Sequence, residues 1–240
     1  MKLYRIKNRQ SFGFSAENPT GQKNGGTKGK DCEKLRPCIQ IAPGETVTLC
    51  DTDGPGMITH IWFTGYVGHS FVMRIYWENE EFPSVEAPIS AFFGCAYDEN
   101  FKDRDGNYIV LNSAKILTAP GRGFNSYWEM PFAKHCRITM ENRSKKEETL
   151  YYMISGWYGE IPQDAGYFHA AYRQEHPVTK GRAYTIIDGI EFPVDKVSED
   201  LATCHLFFDK AKKISYTNAI GYYYRQHNNS IMHVFNPKRM

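Results

Sequence analysis

From Cys38 onward, apolar and polar residues alternate in short runs separated by turn residues: "CIQIA", "ETVTLC", "MITHIWFTG", "FVMRIYWE", "HCRITMEN", "TLYYMISGWY", "AYTIID", "HLFF" and "AIGYYYR". Each run has the length of an ordinary strand. Strand residues point alternately to opposite faces, so "FVMRIYWE" sets Phe71, Met73, Ile75 and Trp77 against Val72, Arg74, Tyr76 and Glu78. Likewise "HCRITMEN" sets Cys136, Ile138 and Met140 against His135, Arg137, Thr139 and Glu141. Such alternation predicts antiparallel sheets with one face inward. "LYYMISGWY" is apolar on both faces and reads as a central strand between two layers. The one helical stretch, around Asp195 to Ala202, is short. The pattern predicts an all-β fold, an antiparallel jelly roll or β-sandwich.

Residues 15–37, "SAENPTGQKNGGTKGKDCEKLRP", are polar, Gly-rich and basic, and predict a long loop. The expected organisation is therefore a polar N-terminal arm over 1–37 and one jelly-roll domain over 38–240, without internal repeat or linker. In "TDGPGMITHIWFTG", residues 52–65, turn chemistry at Asp53-Gly54-Pro55-Gly56 leads straight into a strand. Strict alternation puts Ile58, His60, Trp62 and Thr64 on one face and Met57, Thr59, Ile61 and Phe63 on the other. His60 and Trp62 then read as packing residues, since large aromatics are usually buried.

Composition narrows the partners. Lys+Arg 29 against Asp+Glu 27, a formal charge of +2, makes no electrostatic case for nucleic acid or an anionic membrane. A neutral ligand or another protein fits better. Aromatic residues form 15% of the chain, 16 of them Tyr, and such side chains suit protein interfaces and sugar faces alike. The N-terminus has no apolar run of signal-peptide length and no segment approaches a membrane span, which predicts a cytoplasmic protein. The six cysteines, at 32, 38, 50, 95, 136 and 204, show no close metal-type pairing and read as free thiols in the core.

Several chemistries find no support. No Gly-rich phosphate loop follows a strand, and Ser126 in "FNSYW" lacks the nucleophile-elbow pattern. His169 and His176 do not have a metal-ligand spacing, so neither metal nor organic cofactor is expected.

Read in order, "SAENPTG", "PCIQIAPGETVTLCDTDGPGMITHIWFT", "RIYWENEEFPSVEAPISAFFG", "GFNSYWEMPF", "CRITMEN", "LYYMIS", "FHAAYRQEHP" and "YTIIDGI" resemble the N-terminal half of glycoside hydrolase family 172, from about Ser15 to Ile190. The resemblance implies two jelly rolls in a full-length chain, trimer-based homo-oligomers, and action on fructofuranose or arabinofuranose linkages without a redox cofactor. It also places the Gly-Pro-Gly turn and its strand in the first jelly roll, a scaffold and subunit-contact region. Family enzymes rely on two glutamates, one in a Trp-Gly-Glu-Gly type segment and one in a Gly-Thr-Gly-Thr-Glu-Asp-Tyr type segment; neither segment occurs here. "TNAIGYYYRQ" resembles the closing strand, so much of the second jelly roll is expected to be missing. In "EFPVDKVSED", Glu199 echoes the second glutamate with a spacing one residue short, which makes it the catalytic candidate against the reading of a solvated loop carboxylate.

A retaining glycosidase needs a nucleophilic carboxylate and an acid/base carboxylate about 5–5.5 Å apart. Replacement carboxylates cluster in "WENEEFPSVE" and "SYWEMPF". Glu80 and Glu81 read as a hairpin end facing water. Glu86 and Glu129 are the substrate-binding candidates, Glu129 beside Trp128, because an aromatic next to a carboxylate can stack on a ring and accept its hydroxyl hydrogen bonds. Trp128, Trp157 and Tyr127 are the candidates for an exposed aromatic shelf. Three functions follow: a shortened scaffold or sugar-binding form with little activity, an active furanoside hydrolase with a rebuilt carboxylate pair, or a purely structural assembly protein.

Overall fold

The computed structural model describes residues 8–94, 102, 105–108, 110–119, 123–174, 177, 179, 181, 185–187 and 190–191. The strands are β1 (Gln10–Ser15), β2 (Ile39–Ile41), β3 (Thr46–Asp53), β4 (Gly56–Gly65), β5 (Phe71–Trp77), β6 (Val85–Pro88), β7 (Ile116–Ala119), β8 (Gly123–Ser126), β9 (Met130–Phe132), β10 (His135–Asn142), β11 (Glu148–Tyr158), β12 (Ala170–Ala171), β13 (Thr185–Ile187) and β14 (Ile190–Glu191). A 3-10 turn at Lys30–Cys32 and the single-turn helix α1 (Ile89–Phe92) accompany them. A seven-stranded sheet has the order β1-β11-β4-β8-β7, with β2 on β11 and β9 on β4; a five-stranded sheet has the order β12-β6-β5-β10-β3; β13 and β14 form a two-stranded sheet. Apart from the short parallel contact of β12 with β6, every pairing is antiparallel. The expected antiparallel β-sandwich is thus the fold.

Alternation does what the sequence predicted in β5 and β10. Phe71, Met73, Ile75 and Trp77 face Cys136, Ile138 and Met140 in a shared core, all buried. From the larger sheet Phe63 and Phe124 enter the same core and meet Phe93, just past α1, at ring separations of 6.1 and 5.5 Å. Fully burying one such side chain contributes about 1.5–3 kcal/mol. Trp77 keeps its polar atom satisfied there, donating from Nε1 to the Phe168 carbonyl at 2.9 Å. A 2.6 Å hydrogen bond between Thr52 on β3 and the Tyr158 hydroxyl on β11 ties the two sheets together.

Three expectations change. Strand β4 does not alternate strictly: Ser155 faces His60 and Gly156 faces Ile58, so Thr59 is the extra residue of a β-bulge. Its phase shift puts Ile58 in the core with Ile61 and Phe63, and leaves His60 and Trp62 on the outer face, half-exposed. Strand β11 is central within its sheet, but its second face is not enclosed by the described residues, because Met153 is 40% exposed. The segment expected as a polar arm divides: Gln10–Ser15 pairs with β11 over six residues and buries Phe12 and Phe14, while the polar stretch after it is loop apart from the 3-10 turn. The runs "HLFF" and "AIGYYYR", the helix around Asp195 and Glu199 lie outside the described residues.

The Gly-Pro-Gly turn is built for close approach. A Cβ on Gly56 would stand 2.6 Å from the Phe132 ring and 2.9 Å from the Trp157 carbonyl. Only glycine lets β4 start against β9 and β11 at that distance.

Candidate functional site

Register brings the charged residues of three strands together on the outer face of the five-stranded sheet. On β5, Arg74 pairs with Glu86 of β6 on one side and Thr139 of β10 on the other, and Glu141 of β10 lies opposite Val72. Arg74 and Glu141 belong to the polar halves of the alternating strands β5 and β10, and Glu86 is the exposed residue of β6. One Arg74 nitrogen lies 2.7 Å from a Glu141 oxygen and 3.3 Å from a Glu86 oxygen. Arg143, just past β10, donates from Nε to the same Glu141 oxygen at 3.0 Å and holds a terminal nitrogen 4.0 Å from Glu86. Two guanidinium groups thus meet two carboxylates.

Glu86 and Glu141 lie close enough to share one Arg74 nitrogen, and a glycosidase likewise brings two carboxyl groups together, one of them as an acid. The electrostatics of Glu141 sets this pair apart. Burial of Glu141 favours its neutral form, but hydrogen bonds from Arg143 and Arg74 outweigh this and hold its carboxyl below the usual range. A general acid needs the opposite displacement, towards neutral pH. Arg74 also bridges the two carboxylates, where a sugar would have to enter.

Beside this network lies a cleft of about 370 Å³, lined by His69, Val72, Glu86, Pro88, Arg143 and Tyr172 among others. The His69 ring is anchored by Nδ1, 3.2 Å from the hydroxyl of fully buried Ser90, and meets Tyr172 edge-on at 4.9 Å. Tyr172 is placed by its own backbone, whose N–H donates to the Glu86 carbonyl at 3.0 Å.

The other residues singled out in the sequence lie elsewhere. Tyr127, just past β8, is 40% exposed on the outer face of the seven-stranded sheet and stacks on His60 at 4.9 Å with the rings 7° from parallel. His60 Nε2 is 3.0 Å from the Asn125 side-chain oxygen, which fixes the stack. Trp157 on β11 shares this face, and the Arg9 guanidinium lies over its ring at 3.4 Å. Trp128 is half-buried against Phe168 at 5.5 Å, with the Lys115 ammonium 5.6 Å from its ring, and Glu129 beside it is exposed. Tyr127 and Trp157 therefore share one outer face of the sandwich, Glu86 lies on the opposite one, and Trp128 packs as part of the core's edge. Glu80 and Glu81 are exposed at the β5–β6 hairpin, as expected.

Arg74, Glu141, Arg143, His69 and Tyr172 were not singled out from the sequence. Arg74 and Glu141 did carry a signal, each being a charged residue on the polar face of a cleanly alternating run. Among the described residues no group of three or more His, Cys, Asp and Glu side chains is placed to hold a metal ion, and no helix is long and apolar enough to cross a membrane. The described cysteines Cys38, Cys50 and Cys136 are free thiols, the last two buried.

Residues 4–185 match the family model described as the GH172 first beta-sandwich domain. No curated protein gives a significant match to the chain.

Proposed function

Since the chain belongs to glycoside hydrolase family 172, through the first β-sandwich domain of that family, we propose that it serves furanoside metabolism as a scaffold and sugar-binding form with little hydrolytic activity of its own. The observation that carries this reading is the clamped pair Glu86 and Glu141: Arg74 contacts both carboxylates, and the hydrogen bonds from Arg143 and Arg74 hold the Glu141 carboxyl below its usual range, away from what a general acid needs. The ligand class is a fructofuranose- or arabinofuranose-containing oligosaccharide, and the chain assembles with copies of itself.

Hydrolysis of para-nitrophenyl α-D-arabinofuranoside and of difructose anhydride tests this, with wild-type chain beside Glu199→Gln and Glu86→Gln variants. The expected result is no turnover above background by folded wild-type protein. Turnover that disappears in Glu199→Gln would replace the reading with that of an active hydrolase using Glu199, and turnover that disappears in Glu86→Gln would return Glu86 to the catalytic candidates.

A further inference from the structure

We propose that the cleft between Glu86, Arg143, His69 and Tyr172 binds one neutral sugar ring of an oligosaccharide, an inference that rests on the carbohydrate reading above and assigns it a place. The gap between Arg143 and Glu86 carries the argument. Their nearest nitrogen and oxygen are 4.0 Å apart, beyond hydrogen-bond length, while each group is tied elsewhere. A sugar hydroxyl fits such a gap, because its oxygen accepts from the guanidinium while its hydrogen goes to the carboxylate. A purely accepting anion or a purely donating ammonium satisfies only one side.

Charge supports the same ligand class. Arg74 and Arg143 balance Glu86 and Glu141, so the cluster exerts no net pull on a phosphate or a cation. The cleft also has the two kinds of wall that a sugar presents surfaces to. Buried Val72, Ala87 and Pro88 offer apolar contact for C–H groups, and Glu86, Arg143 and Gln174 offer polar atoms for hydroxyls. About 370 Å³ lies near the lower end of the about 300–1,000 Å³ typical of small-molecule sites. The walls are held in place before any ligand arrives: Arg74 orients Glu86, Ser90 anchors His69, and the Arg143 backbone N–H donates to the Ser70 carbonyl at 2.8 Å. Such preorganisation lowers the ordering cost of binding.

The test is a titration of the 15N-labelled full chain with α-1,5-linked arabinobiose and with sucrose, followed by amide shifts and repeated with Glu86→Gln, Arg143→Ala, Arg143→Lys and Tyr127→Ala, each checked for a wild-type-like spectrum. Expected are shifts centred on Ser70, Ala87, Tyr172 and Gln174, with affinity about tenfold or more weaker in Glu86→Gln and Arg143→Ala, partial recovery in Arg143→Lys, and no change in Tyr127→Ala. Sugar binding that survives both cleft substitutions, or shifts centred on His60, Trp62 and Tyr127, would overturn the cleft and leave the carbohydrate reading standing. Inorganic phosphate moving the cleft amides at lower concentration than either sugar would overturn the neutral-ligand assignment. No binding of either sugar by folded wild-type protein would overturn the cleft together with the sugar-binding half of that reading.

Discussion

Arg74 is only 15% exposed at its side chain and holds two carboxylates from neighbouring strands, so the outer surface of the smaller sheet is organised around one partly buried cation. Glu141 is its closest partner, with a carboxyl that the folded chain protonates less readily than the unfolded one does. The stabilisation linked to that difference is complete above the ordinary glutamate value of 4.5, and is lost as pH falls through that value and on through the lower folded one. Urea unfolding from neutral pH down to about pH 3 should therefore show wild type more stable than Glu141→Gln at neutral pH, with the gap closing below the ordinary value. A gap of constant size across that range would count against the ion-pair account. Both Arg74 and Glu141 could be placed outward by alternation alone. Their meeting could not, since it depends on which strands pair and in what register.

Strand β4 shows the same limit at the scale of an element. Period two correctly marked residues 57–65 as a strand, but one inserted residue, Thr59, moved Ile58 across to the core. A bulge costs nothing visible in composition, because it is defined by what lies opposite. Here that is Gly156, where a Cβ would overlap the Met57 carbonyl oxygen and come within 2.5 Å of the Phe12 ring. Gly156→Ala should therefore destabilise the fold by about 1–3 kcal/mol in urea unfolding, as overpacking does. Gly166→Ala, where nothing lies within 4 Å, is the matched control and should leave the midpoint nearly unchanged. Short elements were the hardest to read: β7, β8 and β9 have only three or four residues each, too few to show a period. In β1 the alternation of Phe12 and Phe14 is present but sits beside a long polar loop.

At the scale of the whole molecule the two outer faces differ in kind. The outer side of the smaller sheet carries Arg74, Arg137, Glu86, Glu141 and Asp51, whereas the outward residues of the central strands of the larger sheet include His60, Trp62, Tyr151, Met153 and Ser155, with no Asp, Glu, Lys or Arg among residues 56–65, 123–126 or 149–158 and the Arg9 guanidinium over Trp157 as a charge beside them. Depletion of charge around aromatic and methionine side chains is the composition of an interface core, which supports the proposed self-assembly. Sedimentation over a wide concentration range should show a multimer, and a monomer at every concentration would remove that part of the proposal. The sequence by itself determined the all-β class, the main strands, the inward halves of β5 and β10 and the family resemblance, because these depend on local period and on residue order. Only the tertiary structure decided which charged residues share a surface, that Tyr127 and Glu86 lie on opposite faces, and that His60 turns outward. Those outcomes depend on register, bulges and sheet order, which arise from contacts between segments far apart in the chain.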